Sequence, residues 1–289
     1  MKRINYFLSI GAIAGLLASG CQKKAEPFTF ITEGESTETT VVTADSLTYV
    51  ELNYPQISNL DQAPKDKDGY TFLFNGVDFN GWRGYGKETI PGKWIIEDGA
   101  IKVNGSGQGE AHAGDGGDII FAKKFKNFEL LFDWKVSPNA NSGILYLARE
   151  IKGEPIWISS PEYQVLDNTG HPDAQLGENG NRQSASLYDM IPAVPQNAKP
   201  VGEWNQGGIL VYKGTVVHKQ NGQNVLEYHL WTPQWNELIA GSKFKPGGSF
   251  PLAYGLLTNL GGDEHEGYVG LQDHGDDVWY KNIRIKILE

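Results

Sequence analysis

Gly208-Ile-Leu-Val-Tyr-Lys-Gly-Thr-Val-Val-His-Lys-Gln-Asn-Gly-Gln-Asn-Val-Leu-Glu-Tyr228 reads as three short strands folded back on one another. Aliphatic and β-branched residues crowd each run, and Gly214 and Asn221-Gly222 separate the runs. Asn-Gly suits a two-residue hairpin turn in which both central residues take positive φ, so the stretch is an antiparallel meander. Alternate residues of a strand share a face, which groups Val216, His218 and Gln220 and puts His218 on a strand rather than in a turn.

The same pattern spreads outward. Tyr70-Thr-Phe-Leu-Phe74, Trp94-Ile-Ile96, Ile101-Lys-Val103, Ile119-Ile-Phe121 and Phe128-Glu-Leu-Leu-Phe-Asp-Trp134 are short strands divided by Gly, Asn and Asp. Phe128, Leu130 and Phe132 share one face of the last. Near the end, Ile283, Ile285 and Ile287 alternate with Asn282, Arg284 and Lys286, a half-buried antiparallel strand. With 36 glycines, 8 tryptophans and no convincing amphipathic helix, the chain predicts an all-β sandwich or jelly roll.

Two stretches break the strand pattern with polar residues. In Asn141-Ser-Gly-Ile-Leu-Tyr-Leu-Ala-Arg-Glu150 both faces are largely apolar, the mark of a strand covered on both sides, with Asn141 and Arg149 at its ends. In Pro161-Glu-Tyr-Gln-Val-Leu-Asp-Asn168, Glu162 and Gln164 share one face while Tyr163 and Val165 share the other. One face is core and the other is a candidate site. Tyr188, in the long loop between residues 168 and 200, offers an aromatic face and a phenol to a ligand. Gln272 and His274 stand at the mouth of a turn before the last strand. Residues 104–118 form a glycine-rich loop whose Glu110, His112, Asp115 and Asp118 are a candidate set for a divalent ion, though their spacing fits no standard loop.

The N-terminus speaks to compartment. Lys2 and Arg3 precede an apolar run from Tyr6 to Leu17, and Leu17-Ala-Ser-Gly-Cys21 places small residues before the only cysteine. This predicts a lipoprotein signal peptide over residues 1–20, a lipidated Cys21 that anchors the protein to the cell envelope, a tether over 21–67 and a domain over 68–289. With that thiol acylated, neither a disulfide nor a thiolate site is available. The formal net charge of −10 argues against nucleic acid as a partner.

Five motifs carry a family resemblance: Phe72-Leu-Phe-Asn-Gly-Val-Asp-Phe-Asn-Gly-Trp82; Asn141-Ser-Gly-Ile144 with Arg149; Glu162-Tyr-Gln-Val-Leu-Asp167; Gly202-Glu-Trp-Asn205 with Asn221-Gly222; and Gly270-Leu-Gln-Asp-His-Gly275 followed by Asn282-Ile283. In this order they resemble the 3-keto-disaccharide hydrolase domain family. The resemblance implies a concanavalin-like jelly roll of two antiparallel sheets acting on a carbohydrate, a 3-keto-glycoside. In such a substrate the ketone acidifies the hydrogen on C2, so one base can start a β-elimination that expels the C1 substituent, and water then completes a net hydrolysis. Residue chemistry nominates His218 or Glu162 as base, Arg149 or a divalent ion at the enolate oxygen, and His274 as the second proton-transfer group. Asn141, Gln164, Gln272, Tyr188 and Asp167 complete the substrate contacts expected here.

A conventional glycosidase needs two carboxyl groups about 5 to 5.5 Å apart, or about 6.5 to 9.5 Å apart, according to its stereochemistry. Glu162 and Asp167 lie roughly 16 Å apart on a straight strand with opposite parity, a poor pair. That enzyme and a non-catalytic carbohydrate-binding lipoprotein stand as the alternatives. Nothing resembles a dinucleotide fingerprint, so a separate sugar 3-oxidoreductase would supply the keto substrate.

Overall fold

The computed structural model describes residues 28–43, 46–105 and 115–289. An N-terminal arm supplies β1 (Thr32–Glu33), β2 (Thr37–Val42), β3 (Thr48–Asn53) and β4 (Gln56–Ile57). The body continues with β5 (Thr71–Phe72), β6 (Trp82–Gly84), β7 (Trp94–Glu97), β8 (Ala100–Val103), β9 (Ile119–Phe125), β10 (Phe128–Val136), β11 (Asn141–Ala148) and β12 (Glu162–Leu166). After a long loop come β13 (Asn205–Tyr212), β14 (Thr215–Gln220), β15 (Gln223–His229), α1 (Pro233–Gly241), α2 (Ala253–Thr258), β16 (Gly267–Leu271) and β17 (Val278–Ile287).

Two antiparallel sheets make the sandwich. One runs β15-β14-β13-β10-β17-β8-β7, with β5 also paired to β17, and the other runs β12-β11-β16-β9-β6. The expected jelly-roll architecture is present, and the meander forms as its sequence dictates. Asn221 and Gly222 take φ of 46° and 82°, and Gln220 faces Gln223 across the turn.

The core lies between the sheets. Along β10, Phe128, Leu130, Phe132 and Trp134 are buried while Glu129, Leu131, Asp133 and Lys135 are only partly covered. Each such apolar side chain contributes about 1.5 to 3 kcal/mol when it leaves water. Phe132 meets Tyr163 of β12 edge to face at 5.2 Å, which turns Tyr163 inward and therefore Glu162 and Gln164 outward. Close packing explains Gly207 on the neighbouring β13, where a Cβ would stand 2.1 Å from the Phe132 ring.

Two expectations need correction. Residues 28–43 and 46–67 do not hang as a tether: Tyr49, Ile57 and Leu60 are buried, and Leu52 N–H donates to Glu150 O at 2.8 Å. Apolar residues at 49, 52, 54 and 57 supply the surface that docks the arm. Two helices also stand where none was expected. Thr232 caps α1 through its side chain with Pro233 in the first turn, and Trp235 stacks on Tyr228 of β15 at 5.4 Å. The signal segment and Cys21 lie outside the described residues, and none of the described helices is long and apolar enough to cross a membrane.

Candidate active site

The outward face of β11 and β12 carries the most chemistry. Glu162 is buried to 7% exposure, and its carboxylate lies over Gly143 of the adjacent strand. The fit is close: a Cβ on Gly143 would fall 2.3 Å from Glu162 Oε1. Gly143 is thus the floor that lets a carboxylate lie flat against the sheet.

A closed ring of contacts surrounds that floor. Glu162 O accepts from Tyr188 N–H at 3.1 Å, and the Tyr188 hydroxyl donates to Asp173 Oδ2 at 2.8 Å. Asp173 N–H donates to His171 Nδ1 at 3.1 Å, and the His171 ring meets His274 edge to face at 5.7 Å. Two residues before His274, Gln272 N–H donates to Gly143 O at 3.0 Å, which closes the ring. Arg182 ties Asp173 and Asp189 together at 2.7 Å each, and Lys243 Nζ lies over the faces of Trp157 and Tyr188 at 4.5 and 4.6 Å. Burial, then the negative charge of Glu162, pushes the Tyr188 phenol far above its ordinary range, so it remains a hydrogen-bond donor.

Four predicted residues therefore come together here: Glu162, Tyr188, Gln272 and His274. Asn141 joins them, since its N–H donates to Asp276 Oδ2 at 3.0 Å. The side-chain oxygens of Asn141 and Gln272 are buried without a hydrogen-bond partner among the described residues. An orphaned buried acceptor is costly, and a substrate hydroxyl would satisfy it. Gln164 shares the face at 1% exposure, but its Oε1 accepts from Val165 N–H, leaving the amide NH₂ as the group it can offer.

Three predicted residues do not belong. His218 is fully buried between the sheets, with Nδ1 on Ala185 O at 2.9 Å and Nε2 on the Tyr146 hydroxyl at 2.8 Å. Burial pushes its pKa down to about 4, and a sealed, doubly bonded imidazole cannot meet a substrate proton. Strand parity located His218 on a face; the face proved to be the core. Arg149, eight positions beyond Asn141, forms a two-point ion pair with Glu51 of the arm, with Nε 3.2 Å from Oε1. Its charge is spent on fold contacts, so it is no enolate stabiliser. Asp167 accepts from Asn139 and Thr169 N–H groups at 3.0 and 2.9 Å. Burial raises its pKa, but these backbone bonds outweigh that and hold it below the ordinary range, as suits a turn cap rather than a substrate contact.

Of the loop proposed for a cation, Glu110 and His112 lie outside the described residues, and Asp118 accepts from Asp273 N–H at 2.9 Å. A different trio, His171, His274 and Asp276, brings ligand-type atoms within 4.8 Å of one another. The donor chemistry does not fit a resident metal. A metal-bound histidine gives one nitrogen lone pair to the ion and donates its other N–H, whereas His171 Nδ1 accepts a hydrogen bond, which puts the ring proton on Nε2. Sequence reading missed His171, Asp173, Asp276 and Lys243. The His171-Pro-Asp173 run was the available signal, since a capping side chain two residues before Asp with Pro between marks a helical turn.

Residues 69–286 match the family described as the 3-keto-alpha-glucoside-1,2-lyase-like domain. The chain belongs to that family. A 3-keto-disaccharide hydrolase of Bacteroides thetaiotaomicron is 57% identical to it over 298 residues, with 100% of both chains covered. A crystal structure from Parabacteroides distasonis, provisionally assigned as a glycosyl hydrolase, is 29% identical with a TM-score of 0.62, covering 77% of this chain and 95% of that one. A second from the same organism shares the fold at 24% identity and a TM-score of 0.52, covering 72% and 99%. The matched span takes in every residue of the ring, from Gly143 to His274, while the docked arm lies before it.

Proposed function

We propose that this family member cleaves 3-keto-disaccharides and related 3-keto-glycosides by elimination followed by hydration. The observation that carries the reading is the Glu162 carboxylate, buried to 7% exposure on the Gly143 floor and ringed by groups suited to a sugar. Glu162 removes the proton from C2, and the C–H electron pair moves toward C3 to give an enolate. Collapse of the enolate expels the C1 oxygen, which takes a proton from His274. Water then adds at C1, giving its proton to His274 while Glu162 returns the first proton to C2, so the sum is hydrolysis and both side chains are restored. Asn141 and Gln272 accept from sugar hydroxyls, and Tyr188 forms one wall.

The substrate relation follows from the B. thetaiotaomicron relative, whose name states hydrolysis of 3-keto-disaccharides. Oxidation at C3 would precede this step, the work of a sugar oxidoreductase. Lipidation of Cys21 would hold the enzyme at the envelope, where exported disaccharide is met.

The deciding experiment incubates soluble protein beginning at Gln22 with a 3-keto-glucoside and with its parent glucoside, with and without chelator, and follows aglycone release. Release from the keto compound alone is expected. Release from the parent would instead mark a conventional glycosidase, and release from neither would leave a binding protein.

A further inference from the structure

The enolate oxygen needs a partner, and Arg149 is committed elsewhere. His171 is half-buried and held by its own turn. It precedes the short turn Pro172–Gln175, and its Nδ1 accepts the Asp173 N–H at 3.1 Å. Neutral imidazole carries one ring proton, so an accepting Nδ1 fixes that proton on Nε2. The clamp itself is braced, because the Asp173 carboxylate takes the Tyr188 hydroxyl at 2.8 Å and Arg182 Nη1 at 2.7 Å. Burial first, then the neighbouring His274, lowers the pKa of His171, while Asp276, Asp173 and Asp167 act in the opposite sense.

We infer that His171 is a catalytic residue of the elimination, donating its Nε2–H to the C3 oxygen as that oxygen gains charge. The inference rests on the reaction proposed above. No bond to His171 forms or breaks: its proton stays on Nε2 while the C2 proton passes to Glu162 and the electron pair reaches the C3 oxygen. A neutral N–H donor holds a developing oxyanion without requiring a fixed charge in the site, and the bond strengthens as the enolate forms. In this division of work Glu162 is the base, His274, whose Nδ1 lies 3.9 Å from Asp276 Oδ2, serves the leaving oxygen, and His171 serves the ketone.

The test has two independent readings. In ¹⁵N-labelled protein at pH 7, ring-nitrogen NMR of His171 should show the neutral form protonated on Nε2; the Nδ1–H tautomer, an imidazolium, or stoichiometric loss of the His171 and His274 signals on adding Mn²⁺ would overturn the inference. In turnover of a 3-keto-glucoside, His171→Leu should lower kcat about 10²- to 10³-fold with little change in KM. His171→Gln, which keeps an N–H donor, should recover at least tenfold of that loss. Equal kcat in wild type, His171→Leu and His171→Gln would sink the inference alone. If wild type turns over no keto substrate, the proposed reaction falls and takes the inference with it.

Discussion

Replacing Gly143 by alanine places one methyl group where the Glu162 carboxylate lies. The added Cβ would stand 2.3 Å from Oε1 and 2.8 Å from both Cγ and Cδ of Glu162, against 3.4–4 Å for an ordinary contact. The carboxylate must therefore retreat by about 1 Å, a displacement that can cost on the order of 10²-fold in rate when the displaced group is a base. Overpacking adds about 1 to 3 kcal/mol of instability. Gly143 is not among the residues with positive φ, so backbone strain does not enter. The assay is kcat/KM on a 3-keto-glucoside beside a thermal melt. Gly241→Ala is the matched control, because nothing lies within 4 Å of its Cβ position at the end of α1. That control should keep full turnover and gain about 0.4 to 1 kcal/mol. A Gly143→Ala enzyme within threefold of wild type would refute the placement of Glu162 as the base.

His218 should matter to the fold and not to the chemistry. Its pKa falls from the ordinary 6.5 to about 4 on folding, so the unfolded chain binds the extra proton first. Stability is then complete above pH 6.5 and drains away as pH falls toward 4, by about 3 kcal/mol for this one group. Urea midpoints across that window should flatten in His218→Gln, and the folded variant should turn over within threefold of wild type at pH 7. Arg149→Met leaves Glu51 charged and half-stranded at 13% side-chain exposure, which should cost about 3 kcal/mol in chemical denaturation with kcat unchanged. A large fall in kcat at intact stability would return Arg149 to the site.

Strand parity made much of the fold legible. The alternation in β10, the Asn221-Gly222 turn and the isoleucines of β17 each tie a local pattern to one geometry. Parity also grouped Glu162 with Gln164, because a two-residue repeat separates faces whatever covers them. It could not say which face is core. Val216, His218 and Gln220 share a side, and only the second sheet, with Tyr146 and Tyr163 closing on the imidazole, makes that side interior. Arg149 failed for a related reason: its partner Glu51 lies 98 positions away, beyond any local pattern. α1 hid because only Trp235 and Ile239 are buried along it, too few to give a helical stripe. His171 was passed over because its role depends on a hydrogen bond to its ring, which residue type alone does not reveal.

The ring around Glu162 has a consequence for the order in which the molecule is made. Its members come from β11, β12, the loop after β12 and the turn behind β16, and Ser142 Oγ bonds Gln272 O across 130 positions. A chain emerging from the ribosome, or threading through a membrane, presents Glu162 long before His274. Contacts that distant form late, because much intervening chain must be closed into a loop first. The face around Glu162 is thus assembled by the last strands to arrive, and a chain cut short before residue 272 would keep Glu162 without Gln272, His274 and Asp276 beside it.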